Sequence, residues 1–318
     1  MHHDVFNGDA DGLCSLLQLR LATPLPEATQ ITGTKRDTQL LSKIPDIRDS
    51  SITVLDVSLD SNRSALEHLL RLGNSVLYID HHFAGDIPQS GLLTPHIDQR
   101  SDVCTSLLVN SLVEGKYAPW AVCGAFGDNL HKPARKLSQA LSLRERDVQQ
   151  LQEIGELLNY NSYGETIADL HFHPSILYAE LARYRDPFEF YCHAPLLSQL
   201  RQGFHDDLEQ AMRIEEDGRP GKNRVYFLPD SAWARRVSGV FANRRATEQA
   251  EIAHALITSN SDGSWRVSVR APLNDCRGAD ILCRKYPTGG GRAGAAGVTR
   301  LPAELLDGFL AEFQQTYR

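Results

Sequence analysis

Two short apolar runs, Ser51–Asp56 and Ser75–Asp80, each end in an aspartate and flank one helical stripe. In that stripe Ala65, Leu66, Leu69, Leu70 and Leu72 recur at helical spacing. Gly73 closes it, and Asp60, Ser61 and Asn62 offer N-caps. Strand, helix, strand at this spacing is a βαβ unit, which commits the region to a parallel sheet. Val5-Phe6 reads as the tail of an earlier strand, with a helix from about Gly12 to Leu21. Residues 135–185 are rich in helix formers and carry little strand signal.

The second half changes character. Arg224–Leu228, Ile252–Thr258 and Trp265–Arg270 read as strands, the last two joined across the turn residues Ser259–Gly263. Helical patterns follow at Asp280–Lys285 and Ala303–Gln315, with a glycine-rich loop between them. Pro187–Pro195 is the expected linker, followed by a helix near Leu196–Glu215. The expected fold class is α/β: a parallel-sheet domain over residues 1–190 and a smaller mixed-sheet α/β domain over 200–318.

The 318 residues include 33 basic and 40 acidic side chains, and 42% of residues are hydrophobic. This is the balance of a globular chain, not of a disordered or coiled-coil one. No apolar run approaches the ~18 residues that a membrane span needs. The opening Met1–Phe6 has no basic start and no apolar stretch, so no signal peptide is expected. Six scattered cysteines without a CxxC pair read as reduced thiols, and the expected location is cytoplasmic. The acidic excess lies in residues 1–199, with 16 basic against 25 acidic groups. That disfavours coating of long nucleic acid. Of the basic residues after 199, nearly all are arginine, the residue suited to bidentate contacts with phosphate or carboxylate.

Four acidic clusters fall at the ends of expected strands: Asn7-Gly8-Asp9-Ala10-Asp11-Gly12, Asp56, Asp80-His81-His82 and Gly127-Asp128-Asn129. In a parallel α/β sheet, ligands bind beyond the carboxyl ends of the strands, so distant clusters can converge there. Asp9 and Asp11 are one residue apart, which on extended backbone points both to one side. Singly, each piece is ordinary, since Asp56 could cap a helix and Asp128 could sit in a turn. Together, four carboxylates in one place repel unless cations join them. A pair of divalent ions resolves the repulsion. Carboxylate with imidazole suits Mn²⁺, and Mg²⁺ or Co²⁺ less selectively.

These motifs resemble the DHH phosphoesterase superfamily, with Asn7–Gly12, Asp56, Asp80-His81-His82 and Asp128 as its four motifs. Gly289–Gly297 is similar to the GGGH-x-x-AAG loop of the DHH-associated C-terminal domain, and Val267–Arg270 to its Arg-bearing strand. The resemblance implies a two-metal hydrolase in which Asp56 bridges both ions. Asp9 binds one ion, and Asp11, His81 and Asp128 hold the other. Asp80 orients His81. His82 contacts phosphoryl oxygens or protonates the leaving group, so Asp80 and His82 are the candidate catalytic pair. Arg270, Gly289, Gly290, Gly291 and Arg292 are the candidate substrate contacts. Two positions in the first motif depart from the pattern. Val5 stands where many members have a His. Asn7, a weaker metal ligand, stands where RecJ-type exonucleases have an Asp. Arg292 also replaces the loop histidine and cannot transfer protons.

The closest likeness is to the short nano-RNase and phosphatase branch. It implies short oligonucleotides, linear dinucleotides or 3′-phosphoadenosine 5′-phosphate as substrate, with no membrane and no stable complex with long nucleic acid. The alternatives are a single-strand exonuclease related to RecJ and a catalytically weakened nucleotide binder. The oligomeric state is left open, a homodimer included.

Overall fold

A computed structural model describes all residues, 1–318, and divides the chain into two compact units, Met1–Gln202 and Gly203–Arg318. The first unit contains β1 (His2–Phe6), α1 (Ala10–Ala22), β2 (Thr29–Thr32), β3 (Ser51–Leu55), α2 (Leu59–Arg71), β4 (Ser75–Asp80) and β5 (Leu93–Ile97). Then come α3 (Thr105–Leu112), α4 (Ala118–Gly127), α5 (His131–Ala140), α6 (Glu145–Ser162), α7 (Pro174–Leu181) and α8 (Pro187–His193). The division falls within α9 (Pro195–Met212).

The first sheet has the order β2-β1-β3-β4-β5, every pair parallel. The strand order reverses about β1, so the β1/β3 boundary is the topological switch point. Phe6 pairs with Leu55, and Leu55 with Ile79, so the residues after β1, β3 and β4 leave one edge of the sheet together. β3 is buried on both faces from Ile52 to Leu55, as a central parallel strand must be. Val54, Val76 and Tyr78 pack with Leu59, Leu66 and Leu69 of α2 in one core. The N-cap of α2 is Ser58, ahead of the expected Asp60–Asn62: its hydroxyl accepts from the Ser61 N–H and donates to Phe83 O. Ser58→Ala is expected to lower the stability of the first unit by about 1 kcal/mol. A denaturant midpoint unchanged from wild type would show that this cap carries no weight.

The second unit contains β6 (Arg224–Leu228), α10 (Ala232–Glu248), β7 (His254–Ser259), β8 (Trp265–Arg270), α11 (Ala279–Cys283), β9 (Gly289–Arg292), β10 (Ala295–Leu301) and α12 (Leu306–Thr316). Its sheet runs β6-β7-β8-β10-β9, with β6 parallel to β7 and the other pairs antiparallel. The two sheets give the α/β class with a parallel first sheet and a mixed second one. Val267, Val269 and Val298 pack against Phe309 and Phe313 in the second core.

Several expectations need correction. Residues 187–193, read as linker, form α8: Asp186 caps it, Pro187 sits at its first turn, and Phe190 is fully buried. The glycine-rich stretch is the hairpin β9–β10, not an open loop, with Gly289 opposite Val298 and Arg292 opposite Ala295. Close packing explains two of its glycines. A Cβ at Gly289 would meet Cys283 O at 1.8 Å, and one at Gly291, where φ is +137°, would meet Ala296 Cα at 2.4 Å. No helix is long and apolar enough to cross a membrane.

Candidate metal centre

Asp9, Asp11, Asp56 and Asp128 converge at the carboxyl edge of the first sheet, each delivered by a different local device. Asp9 is the N-cap of α1. Its Oδ1 accepts the N–H groups of Asp11 (3.0 Å) and Gly12 (3.1 Å). Gly12 is required at this turn, because a Cβ would stand 2.1 Å from Asn7 O. Asp11 lies in the first turn of α1, so it reaches the site by helix geometry and not by strand alternation. Both its oxygens are held by the first turn of α3, Oδ2 by the Thr105 N–H and Oδ1 by the Ser106 N–H, each at 2.8 Å. Asp56 follows β3 at φ +59°, in the left-handed region that a non-glycine residue rarely adopts. Such a conformation at a site of converging charge marks stored strain. The Thr105 hydroxyl donates to Asp56 Oδ1 at 3.0 Å. Asp128 caps the C-terminus of α4, so it follows a helix and not the expected strand.

One ring nitrogen faces three of these carboxylates. His81 Nε2 lies 3.4 Å from Asp56 Oδ1, 3.8 Å from Asp128 Oδ2 and 4.0 Å from Asp11 Oδ2. Ligand atoms about one cation with bonds of about 2.1 Å stand roughly 3–4 Å apart. Asp56, His81 and His82 also form a group whose ligand atoms all lie within 4.8 Å of one another. The donor set therefore fits a divalent cation. Asp80 does not orient His81 as expected: His82 Nδ1 donates to Asp80 Oδ1 at 2.7 Å, leaving Nε2 as the free ring nitrogen of His82. Asp80 Oδ2 and Asn7 Oδ1 are buried with no hydrogen-bond partner.

Sequence reasoning missed four residues here: Lys35, Thr105, Ser106 and Asn159. Lys35 Nζ donates to Asp9 Oδ2 at 2.5 Å and to Asn159 Oδ1 at 3.2 Å, and lies 3.5 Å from Asp128 Oδ1. None carries a motif of its own; each arrives from a distant element, and the pairing of β2 with β1 helps to place Lys35 nearby.

The electrostatics follow from burial and crowding. Burial, then the charges of Asp11, Asp9, Asp128 and Asp80, push the Asp56 carboxyl well above the usual carboxylate range. Burial also drives Asp128 upward, partly offset by Lys35. Burial acts on Asp9 in the same sense, but the charge and hydrogen bond of Lys35, with the Gly12 amide, hold it below its ordinary value. Burial pulls Lys35 down, and the charges of Asp9, Tyr163 and Asp128 overcome it and raise it well above the usual amine value. For His82, burial opposes the charge, but the bond to Asp80 and the surrounding carboxylates raise it. A carboxyl that resists ionisation among other carboxylates is a group that a cation would stabilise.

In the second unit, Arg270, Ala295 and Arg292 stand in register across β8, β10 and β9, so both arginines share one sheet face. Arg270 Nε donates to Asn243 Oδ1 at 2.7 Å and its Nη1 to Ser268 Oγ at 2.9 Å, which fixes the guanidinium. Arg292 is exposed. Gly290 has open space where a Cβ would be, so backbone on this edge strand is approachable.

The fold is shared with solved structures. A DHH-domain protein described as a member of a family of ribosomal proteins matches at a TM-score of 0.63 and 14% identity, covering 100% of this chain and 87% of that one. An exonuclease RecJ bound to manganese matches at 0.58 and 18%, covering 99% and 89%. A pGpG-specific phosphodiesterase from Vibrio cholerae matches at 0.55 and 14%, covering 99% and 98%. No curated protein matches the chain. Residues 3–141, within the first unit, match the model of the DHH family, N-terminal domain.

Proposed function

We propose that this protein is a divalent-cation-dependent phosphoesterase acting on short nucleotides, with Mn²⁺ as the preferred ion and Mg²⁺ or Co²⁺ as substitutes. The observation that carries the reading is His81 Nε2 facing Asp11, Asp56 and Asp128 at the switch point of a parallel sheet. The likeness in fold to the manganese-bound RecJ and to the pGpG-specific phosphodiesterase supports it.

When bound, the cation would polarise a phosphoryl oxygen and supply hydroxide near neutral pH. The chain's own residues do the rest. Asp11, Asp56, His81 and Asp128 would hold the ion. The Thr105 and Ser106 amides and the Thr105 hydroxyl keep Asp11 and Asp56 from rotating, which preserves the spacing before substrate arrives. Asp80 fixes the His82 ring through Nδ1, and Nε2 is the atom that meets a phosphoryl oxygen or hands a proton to the leaving oxygen. In the second unit, Arg270 and Arg292, with the Gly289–Gly291 edge, form that unit's own candidate phosphate contacts.

The test is Mn²⁺-dependent nucleotide release from a panel: 3′-phosphoadenosine 5′-phosphate, a linear di-guanosine, a trinucleotide, a long single strand and pyrophosphate. Turnover is expected on the short nucleotides alone, falling beyond about five residues. Preference for the long strand would replace this reading with an exonuclease. Tight nucleotide binding without turnover would leave a binding protein.

A further inference from the structure

The cation proposed above has one side of the carboxylate cluster, and a lysine has the other. Lys35 Nζ lies 2.5 Å from Asp9 Oδ2 and 3.5 Å from Asp128 Oδ1, while His81 Nε2 lies 3.8 Å from Asp128 Oδ2. Asp128 thus turns one oxygen to the ammonium and the other to the imidazole that would ligate the ion. Asp9 is already engaged on both oxygens: Oδ1 accepts two backbone N–H groups and Oδ2 accepts the ammonium.

The ammonium is also fixed in place. The Lys35 backbone N–H donates to Ser162 O at 3.0 Å, the Nζ donates to Asn159 Oδ1, and it sits over the Tyr163 ring at 5.8 Å from the centroid. These three contacts come from one segment at the end of α6 and just after it, so the lysine is held from behind while it faces the carboxylates. A divalent ion bound to Asp9 would stand against this ammonium in a buried setting, where like charges are weakly screened.

We propose that Lys35 stands in for a second divalent cation, so that the first unit binds one ion and not two. The inference rests on the metal-dependent reading above and departs from the two-ion expectation drawn from the sequence. The lysine neutralises Asp9 permanently, and only the Asp11, Asp56, His81 and Asp128 side exchanges its ion with solvent.

The experiment is Mn²⁺ titration of the full-length chain, read by native mass spectrometry and by electron paramagnetic resonance. Wild type is expected to bind one Mn²⁺ per chain with an uncoupled spectrum. Lys35→Met is expected to bind two, with an exchange-coupled spectrum, and Lys35→Arg one. Lys35→Gln serves in place of Lys35→Met if the latter fails to fold. Two ions in wild type would overturn the inference and leave the phosphoesterase reading standing. One ion in both wild type and Lys35→Met would also overturn it, since the lysine would then exclude nothing. No bound Mn²⁺ in wild type would sink the metal-dependent reading itself.

Discussion

Asp56→Asn is expected to lower Mn²⁺-dependent hydrolysis by about a thousandfold or more while the first unit stays folded. Asn is the informative replacement. Asp56 sits at φ +59°, and asparagine tolerates the left-handed region, whereas alanine there would add about 1–2 kcal/mol of backbone strain. The Thr105 hydroxyl can still donate to the amide oxygen, so the change isolates the lost charge. A second readout has the opposite sign. Asp56 is an acid held well above its ordinary value in the folded chain. Such a group costs stability from its unfolded value near pH 4 upward, because only the unfolded chain ionises it freely. Without metal at pH 8, the variant should therefore melt above wild type, by a few degrees on the usual scale of about 4 °C per kcal/mol. Added Mn²⁺ should raise the wild-type midpoint and leave the variant nearly unmoved. Activity within tenfold of wild type would remove Asp56 from the chemistry. A lower midpoint for the cation-free variant would show that the carboxyl is not under repulsion.

Gly155→Ala should destabilise the first unit by about 3 kcal/mol and cut turnover by about a hundredfold, although Gly155 lies in α6. Two effects compete. Helix propensity favours alanine by about 1 kcal/mol. Against it, a Cβ at Gly155 would stand 2.2 Å from Cys123 O and 2.9 Å from Gly127 N, both backbone atoms of α4. Backbone cannot rotate away as a side chain can, so α4 and α6 must separate. Gly127 has its own limit on the other side, since a Cβ there would meet Ala10 Cβ at 2.3 Å. Helices α1, α4 and α6 are therefore in near backbone contact, and Asp128 leaves the end of α4 at that junction. Moving α4 by about 1 Å shifts Asp128 against His81 and Lys35, which is the scale of misplacement that costs two orders of magnitude in rate. A chemical denaturation midpoint equal to or above wild type would show that propensity wins and that the packing is looser than the distances imply.

Much of the site was legible because its residues follow strong local signals. β3 and β4 are continuous apolar runs, so the aspartates that end them mark the carboxyl edge of a sheet. The edge strands β2 and β5 were not legible. Thr29–Thr32 is half exposed and only four residues long, and Leu93–Ile97 carries Pro95, which suits an edge and reads as a break. Helix α10 was missed because arginines interrupt its apolar spacing; Arg236, one of them, is buried against Asp207 at 2.7 Å. No periodicity announces a buried charge whose partner is 29 positions away.

The sequence by itself determined the parallel sheet, the mixed second sheet and the identity of the acidic residues, because apolar periodicity and short turns are local properties. Tertiary structure alone decided how those residues are used. It gave Asp80 to His82 and not to His81, through side-chain directions at the end of β4. It turned the triple glycine into an edge strand, because β9 pairs with β10 and packs on Cys283. It set Lys35 against Asp9, 26 positions away, and the α3 amides against Asp11, more than 90 away. A hydrogen bond or ion pair has a range of a few ångströms and no memory of sequence separation. Which acids face the His81 imidazole and which the Lys35 ammonium is therefore written only when the chain has folded.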